Sequence, residues 1–286
     1  MALQHRDVPY PHWQFEDPAS GDRLQVVPER GGLITGWRCH GRELLYFDQQ
    51  RFADPALSVR GGIPVLFPIC GDLPENRLCL PQGNFTLPQH GFARDLPWQL
   101  SALEDGRGIT LELADSEASR QAYPFAFLLR LEVRLEPGAL AIHTTVHNRS
   151  EAMMPFSIGL HPYFAVSDLA QVQVEGLPDT CFDHHAMAED RSATQLARIE
   201  QGIDLLTHPS GPVLLHDQLN DAAIALETTP PWDLVVLWSE PPRPMVCLEP
   251  WTGPRQALLS GDRRLDLEPG ASMRLDVCYR LQLPPS

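Results

Sequence analysis

Leu129-Arg130-Leu131-Glu132-Val133-Arg134-Leu135 alternates apolar and charged residues without a break. Pro137-Gly138 then turns the chain, and Leu140-Ala141-Ile142-His143-Thr144-Thr145-Val146 runs back. Period-two alternation is the mark of a half-buried strand, so the stretch predicts an antiparallel hairpin. The same signature recurs at Ile109–Leu113 and Met273–Tyr279. Shorter runs at Val172–Val174, Val213–Leu215, Ala223–Leu226 and Leu234–Trp238 are further strand candidates. Many strands separated by Gly and Pro, with 28 prolines that disfavour long helices, predict an all-β antiparallel sandwich. Weak helical stretches are expected only near 114–121 and 193–201. With no internal repeat and no linker-like shift in composition, residues 1–286 read as a single domain. The longest irregular segment is 61–98, and long loops on rigid scaffolds often carry function.

Composition narrows the function. The chain has 286 residues and a formal net charge of −15, which argues against nucleic acid and against an anionic membrane surface. The N-terminal stretch lacks an apolar signal core, and no apolar run reaches the length of a membrane span. Six scattered cysteines without a Cys-x-x-Cys pair read as reduced, mostly buried thiols. A cytoplasmic protein with no metal centre and no cofactor is the expectation, its oligomeric state left open.

Chemistry-bearing residues fall in three polar islands: His90-Gly91-Phe92-Ala93-Arg94, Gly159-Leu160-His161-Pro162-Tyr163-Phe164 and Glu249-Pro250-Trp251. Glu249 ends the apolar run Met245-Val246-Cys247-Leu248, and Pro250 is expected to stop that strand because it cannot donate to a ladder. Two histidines and a glutamate suit general acid–base work. Singly, each has a plainer reading: His90 as a loop residue, His161 as a satisfied core histidine, Arg94 as the partner of a surface acid. The pair His184-His185 looks like solvated loop. A glycosidase would need two carboxylates about one bond, and Asp204, Asp233 and Glu249 are the candidates.

Taken in order, Arg60-Gly61-Gly62-Ile63-Pro64, His90-Gly91-Phe92-Ala93-Arg94, His161-Pro162-Tyr163-Phe164 and Glu249-Pro250-Trp251-Thr252-Gly253 resemble the aldose 1-epimerase (galactose mutarotase) superfamily, across most of the chain. The resemblance implies a β-supersandwich with a sugar-binding cleft, and interconversion of the α and β anomers of an aldose. It implies Glu249 as the base that takes the proton from O1, His161 as the acid that protonates the ring oxygen O5, and His90 as a hydrogen-bonding partner on the ring-oxygen side. Glu249 and His161 are then expected to face each other across one pyranose ring. Trp251 and Phe92 offer aromatic faces to a sugar, and Asp204 falls near the family's substrate-binding acid. Arg60 and Arg94 resemble the hexose-6-phosphate mutarotase branch, where two converging guanidiniums would clamp a phosphate. The His161-Pro162 and Glu249-to-Gly253 motifs lean instead toward a free aldose. The partner is therefore a small sugar or sugar phosphate. A non-catalytic carbohydrate-binding sandwich that stacks sugars on Trp251 and Trp238 is the rival from another class.

Overall fold

In the computed structural model, which describes residues 3–284, the quoted stretch forms strands Phe127–Glu136 and Ala139–Asn148, paired antiparallel. Leu129, Leu131, Val133 and Leu135 are buried, while the intervening Arg130, Glu132 and Arg134 stay partly in water. This hairpin lies within an eight-stranded sheet in the order Val172–Glu175, Val213–Asp217, Ala222–Thr228, Ser272–Gln282, Ala139–Asn148, Phe127–Glu136, Gly108–Ala114, Gln99–Ala102. Each strand expected from alternation is present and runs one or more residues beyond its apolar core, except Leu234–Trp238, which matches as read.

A second large sheet runs Ala188–Arg191, Thr180–Asp183, Asp204–Thr207, Leu234–Trp238, Met245–Trp251, Gly159–Leu160, Val65–Leu66. Tyr163–Ala165 also pairs with Met245–Trp251. The N-terminal strands, from Gln4–Arg6 to Arg42–Glu43, form a third sheet. One apolar core joins all three, from Phe15 and Trp37 through Leu131, Ile142 and Tyr279 to Leu237, Val246 and Leu248. Removing that surface from water is the main favourable term in the fold.

Two expectations need correction. The strand Met245–Trp251 does not stop at Glu249 but continues through Pro250 to Trp251. Pro250 is tolerated because the ladder on one side of this strand is interrupted there, between the pairs Gly159↔Trp251 and Tyr163↔Cys247. The segment 61–98 is not structureless: it contains Val65–Leu66, the hairpin Arg77–Leu80 with Gly83–Thr86, and two 3-10 turns. Helix is confined to short pieces, with Glu117–Ala122 and Ser192–Leu196 in the expected regions. No helix among the described residues is long and apolar enough to cross a membrane.

Candidate active site

Met245–Trp251 is buried on both faces, which explains its near-continuous apolar character. Val246 and Leu248 point into the main core. Cys247, Glu249 and Trp251 therefore share the opposite face, since strand side chains alternate. The register Val236↔Glu249 and Trp238↔Cys247, with Asp204↔Trp238 on the next strand, brings Asp204, Val236, Trp238, Glu249 and Trp251 to one surface. That surface is the floor of a cavity of about 230 Å³. His90, Arg60, Arg94, His161, Tyr163, Gln89, Ser58 and Arg255 complete its lining.

His161 reaches Glu249 by register. The chain leaves the strand edge after Gly159↔Trp251 and returns at Tyr163↔Cys247, so His161 falls opposite Glu249. Its own N–H is held by the Pro64 carbonyl at 2.9 Å. Its ring stacks on Tyr163 at 4.8 Å and 12°. Nε2 of His161 then lies 3.4 Å from Oε1 of Glu249. The expectation that the two face each other across a sugar ring is thus replaced by direct adjacency.

Electrostatics make this pair one proton-holding unit. Burial, and after it the charge of Arg94, pushes His161 down to about 3. Burial, and after it the negative charge of Asp204, pushes Glu249 well above the usual carboxylate range. Both shifts disfavour isolated charge, so one proton shared between the two is the favoured occupancy. Trp251 donates its indole N–H to the other Glu249 oxygen at 3.1 Å and fixes the carboxylate's orientation. With Cys247 the pair gathers three metal-type ligand atoms within 4.8 Å. Burial, and after it the charge of Glu249, drives the Cys247 thiol well upward.

His90 is held by a reciprocal pair of bonds to Gly71. Its N–H donates to the Gly71 carbonyl at 2.6 Å, and its Nδ1 accepts from the Gly71 N–H at 3.0 Å. Nδ1 is thereby the acceptor, so the proton sits on Nε2. Burial, with Arg94 next, keeps the ring neutral by pushing its pKa well down. Gly71 has a left-handed φ of +72°, and a Cβ there would sit 2.3 Å from Cγ of Arg255. This glycine thus orients one cavity residue and makes room for another.

Asp204 anchors a polar network at the far side. It accepts from Nδ1 of His184 at 2.7 Å and from Arg255 at 3.2 Å, and Arg255 also reaches Asp72 at 3.1 Å. Burial works against the charge of Asp204, but the His184 hydrogen bond and the neighbouring positive charges hold its pKa below the ordinary value. His184 in turn stacks on Trp251 at 27°. Arg60 and Arg94 line the same cavity but are engaged differently. Arg60 is paired with Glu240, whereas Arg94 donates to the Gln89 carbonyl at 3.0 Å.

The aldose 1-epimerase family profile matches residues 19–280. The chain belongs to the aldose 1-epimerase family. A family relative from Cenchrus ciliaris, provisionally named a glucose-6-phosphate 1-epimerase, is 31% identical over 71% of this chain and 65% of its own length. A solved protein of Synechocystis sp. PCC 6803 is 35% identical and superposes with a TM-score of 0.91 over 99% of this chain and 98% of that one. A galactose mutarotase related enzyme from Lactobacillus acidophilus is 20% identical, with a TM-score of 0.76 over 95% of this chain and 97% of that one. The antiparallel β-sandwich is the galactose mutarotase-like fold.

In this member of the family, one cavity is lined by His90, His161, Glu249, Arg60, Arg94, Asp204 and Trp251, all named from sequence, and by Trp238. Phe92 does not line it; it packs in the core against Phe127. Asp233 is also elsewhere, paired with Arg263 and His208. The reading of His184 as solvated loop is wrong, because the side chain is buried against Asp204 and Trp251. Arg255 was missed. Its position just after the Glu249-to-Gly253 motif was the one available signal, since its partners Asp72 and Asp204 are distant in sequence.

Proposed function

We propose that this chain interconverts the α and β anomers of an aldose, free or phosphorylated, by general acid–base ring opening. The observation that carries this reading is the 3.4 Å contact between His161 Nε2 and Glu249 Oε1. Mutarotation moves protons at O1 and O5, and both oxygens are bonded to C1. An acid and a base standing side by side can therefore serve both, each within hydrogen-bond reach of its own oxygen.

In the reactive arrangement the shared proton lies on His161 and Glu249 is the carboxylate. Glu249 takes the O1 proton, the O1 electrons form the carbonyl, and the C1–O5 bond breaks. O5 takes the proton from His161. Rotation about C1–C2 presents the other carbonyl face, and the reverse transfers close the ring. Ring opening puts one proton on Glu249 and takes one from His161, and ring closure reverses both transfers, so the pair ends the cycle as it began. The Nε2–H of His90 donates to the ring-oxygen side, and Asp204 accepts from a sugar hydroxyl. Trp251 supplies an aromatic wall. Arg94 is the reason a phosphorylated aldose stays within the proposal.

Polarimetry on freshly dissolved α-glucose, α-galactose and glucose 6-phosphate tests this. The protein should speed relaxation to the anomeric equilibrium, and Glu249→Gln should return it to the spontaneous rate. Sugar binding without acceleration would replace this reading with the non-catalytic one.

A further inference from the structure

Arg60 lines the cavity, yet both edges of its guanidinium are occupied. Nε and one Nη donate to the two oxygens of Glu240 at 2.8 and 3.2 Å. The other Nη donates to Ser58 Oγ at 3.0 Å and to the Val59 carbonyl at 3.3 Å. Its carbon stands 5.5 Å from the Trp238 ring centre, which fixes the plane. Glu240 is also held by Arg243 at 2.6 Å, and Arg243 lies 3.8 Å from Asp48. Two arginines and two carboxylates thus cancel at this rim of the cavity. Arg94 is less compensated, its nearest carboxylate being the exposed Asp95 at 3.9 Å.

A phosphate gains most from an arginine when it takes the guanidinium fork with two parallel bonds. At Arg60 that place is filled by Glu240. We propose that Glu240 sets the preference of the cavity between neutral and phosphorylated aldoses, by competing with the substrate's phosphate for Arg60. The inference rests on the anomer-interconverting function proposed above. Arg94 is then the first contact for an anionic substituent, and Arg60 joins it only when Glu240 lets go. Release does not strand a carboxylate, because Glu240 keeps its bond to Arg243. Glu240 acts through Arg60 and is a positioning residue.

The test compares glucose and glucose 6-phosphate as substrates of the parent, Glu240→Gln and Glu240→Asp. Removing the competing charge should lower KM for glucose 6-phosphate about fivefold with kcat little changed, the worth of one partly exposed charge pair. The ratio of kcat/KM for the phosphorylated over the neutral sugar should rise accordingly. Glu240→Asp, which keeps the charge, should stay near the parent ratio. An unchanged ratio in Glu240→Gln overturns the proposal. So does a fall, which would mean that Glu240 readies Arg60 for phosphate. Calorimetry with inorganic phosphate keeps the question separate from turnover. Tighter phosphate binding by Glu240→Gln supports the competition even if neither sugar is turned over, and equal or weaker binding overturns it.

Discussion

Replacing Gly71 by alanine tests whether the cavity is held in shape from behind. The new Cβ would lie 2.3 Å from Cγ of Arg255, 3.0 Å from its Cβ and 3.1 Å from its Cα. The backbone there has φ of +72°, which costs an L-residue about 1–2 kcal/mol. Arg255 must also move, giving up its contacts to Asp72 and Asp204, each worth about 0.2–1 kcal/mol at this exposure. The total is about 1.5–4 kcal/mol, a fall in Tm of roughly 2–7 °C for a chain of this size. Catalysis should suffer more than this suggests, because Gly71 also aligns His90 through two hydrogen bonds. A shift of about 1 Å in such a group costs about a hundredfold in rate. Melting curves and polarimetric rates are the assays, with Arg255→Ala as the second arm of a double-mutant cycle. Adding Gly71→Ala to Arg255→Ala should cost at least about 0.5 kcal/mol less than adding it to the parent, since the closest overlap is gone. A Gly71→Ala protein with parental Tm and rate, or a strictly additive cycle, refutes the reasoning.

Glu249→Gln should abolish turnover yet raise Tm, because a buried carboxyl held neutral costs stability wherever solution would ionise it. Its native pKa lies above the unfolded value, so the parent loses stability as pH rises through that window. The advantage of Glu249→Gln should therefore be larger at high pH than at low pH, and a pH-independent difference in Tm would count against this. The pH profile of kcat/KM should lack an acid limb near the ordinary histidine value of about 6.5, since His161 is pushed down to about 3 and His90 well down. A limb at that value that disappears in His161→Asn would show the pair to be wrongly described. Asp204→Asn weakens the acceptor for both His184 and Arg255, and should raise KM for aldoses about tenfold with a smaller effect on kcat; an unchanged KM would remove Asp204 from binding.

Much of the fold was legible because alternation survives wherever a sheet has one wet face. The hairpin at 127–148 shows this, with buried Leu and Val between partly exposed Arg and Glu. Met245–Trp251 was harder. Both its faces are covered, so alternation vanished and Pro250 was misread as its end. The catalytic candidates were legible through their motifs, but their geometry was not. That His161 falls opposite Glu249 depends on a register visible only once Gly159 and Tyr163 are paired with the same strand. His184 was misread because its neighbours Asp183 and His185 are polar, while its partner Asp204 lies on another strand. The same non-locality hid Arg255 and the Arg60–Glu240 pair, whose partners lie far apart along the chain.

The register that sets His161 beside Glu249 also has a kinetic consequence. The cavity draws on residues near 60, 90, 161, 204 and 249, so no local stretch of chain contains a rudimentary version of it. Non-local pairings close late, after the loop-closure entropy between them has been met. Recovery of activity after dilution from denaturant should therefore trail the recovery of strand signal. The His161–Glu249 contact is in effect a clock that starts only when folding is complete.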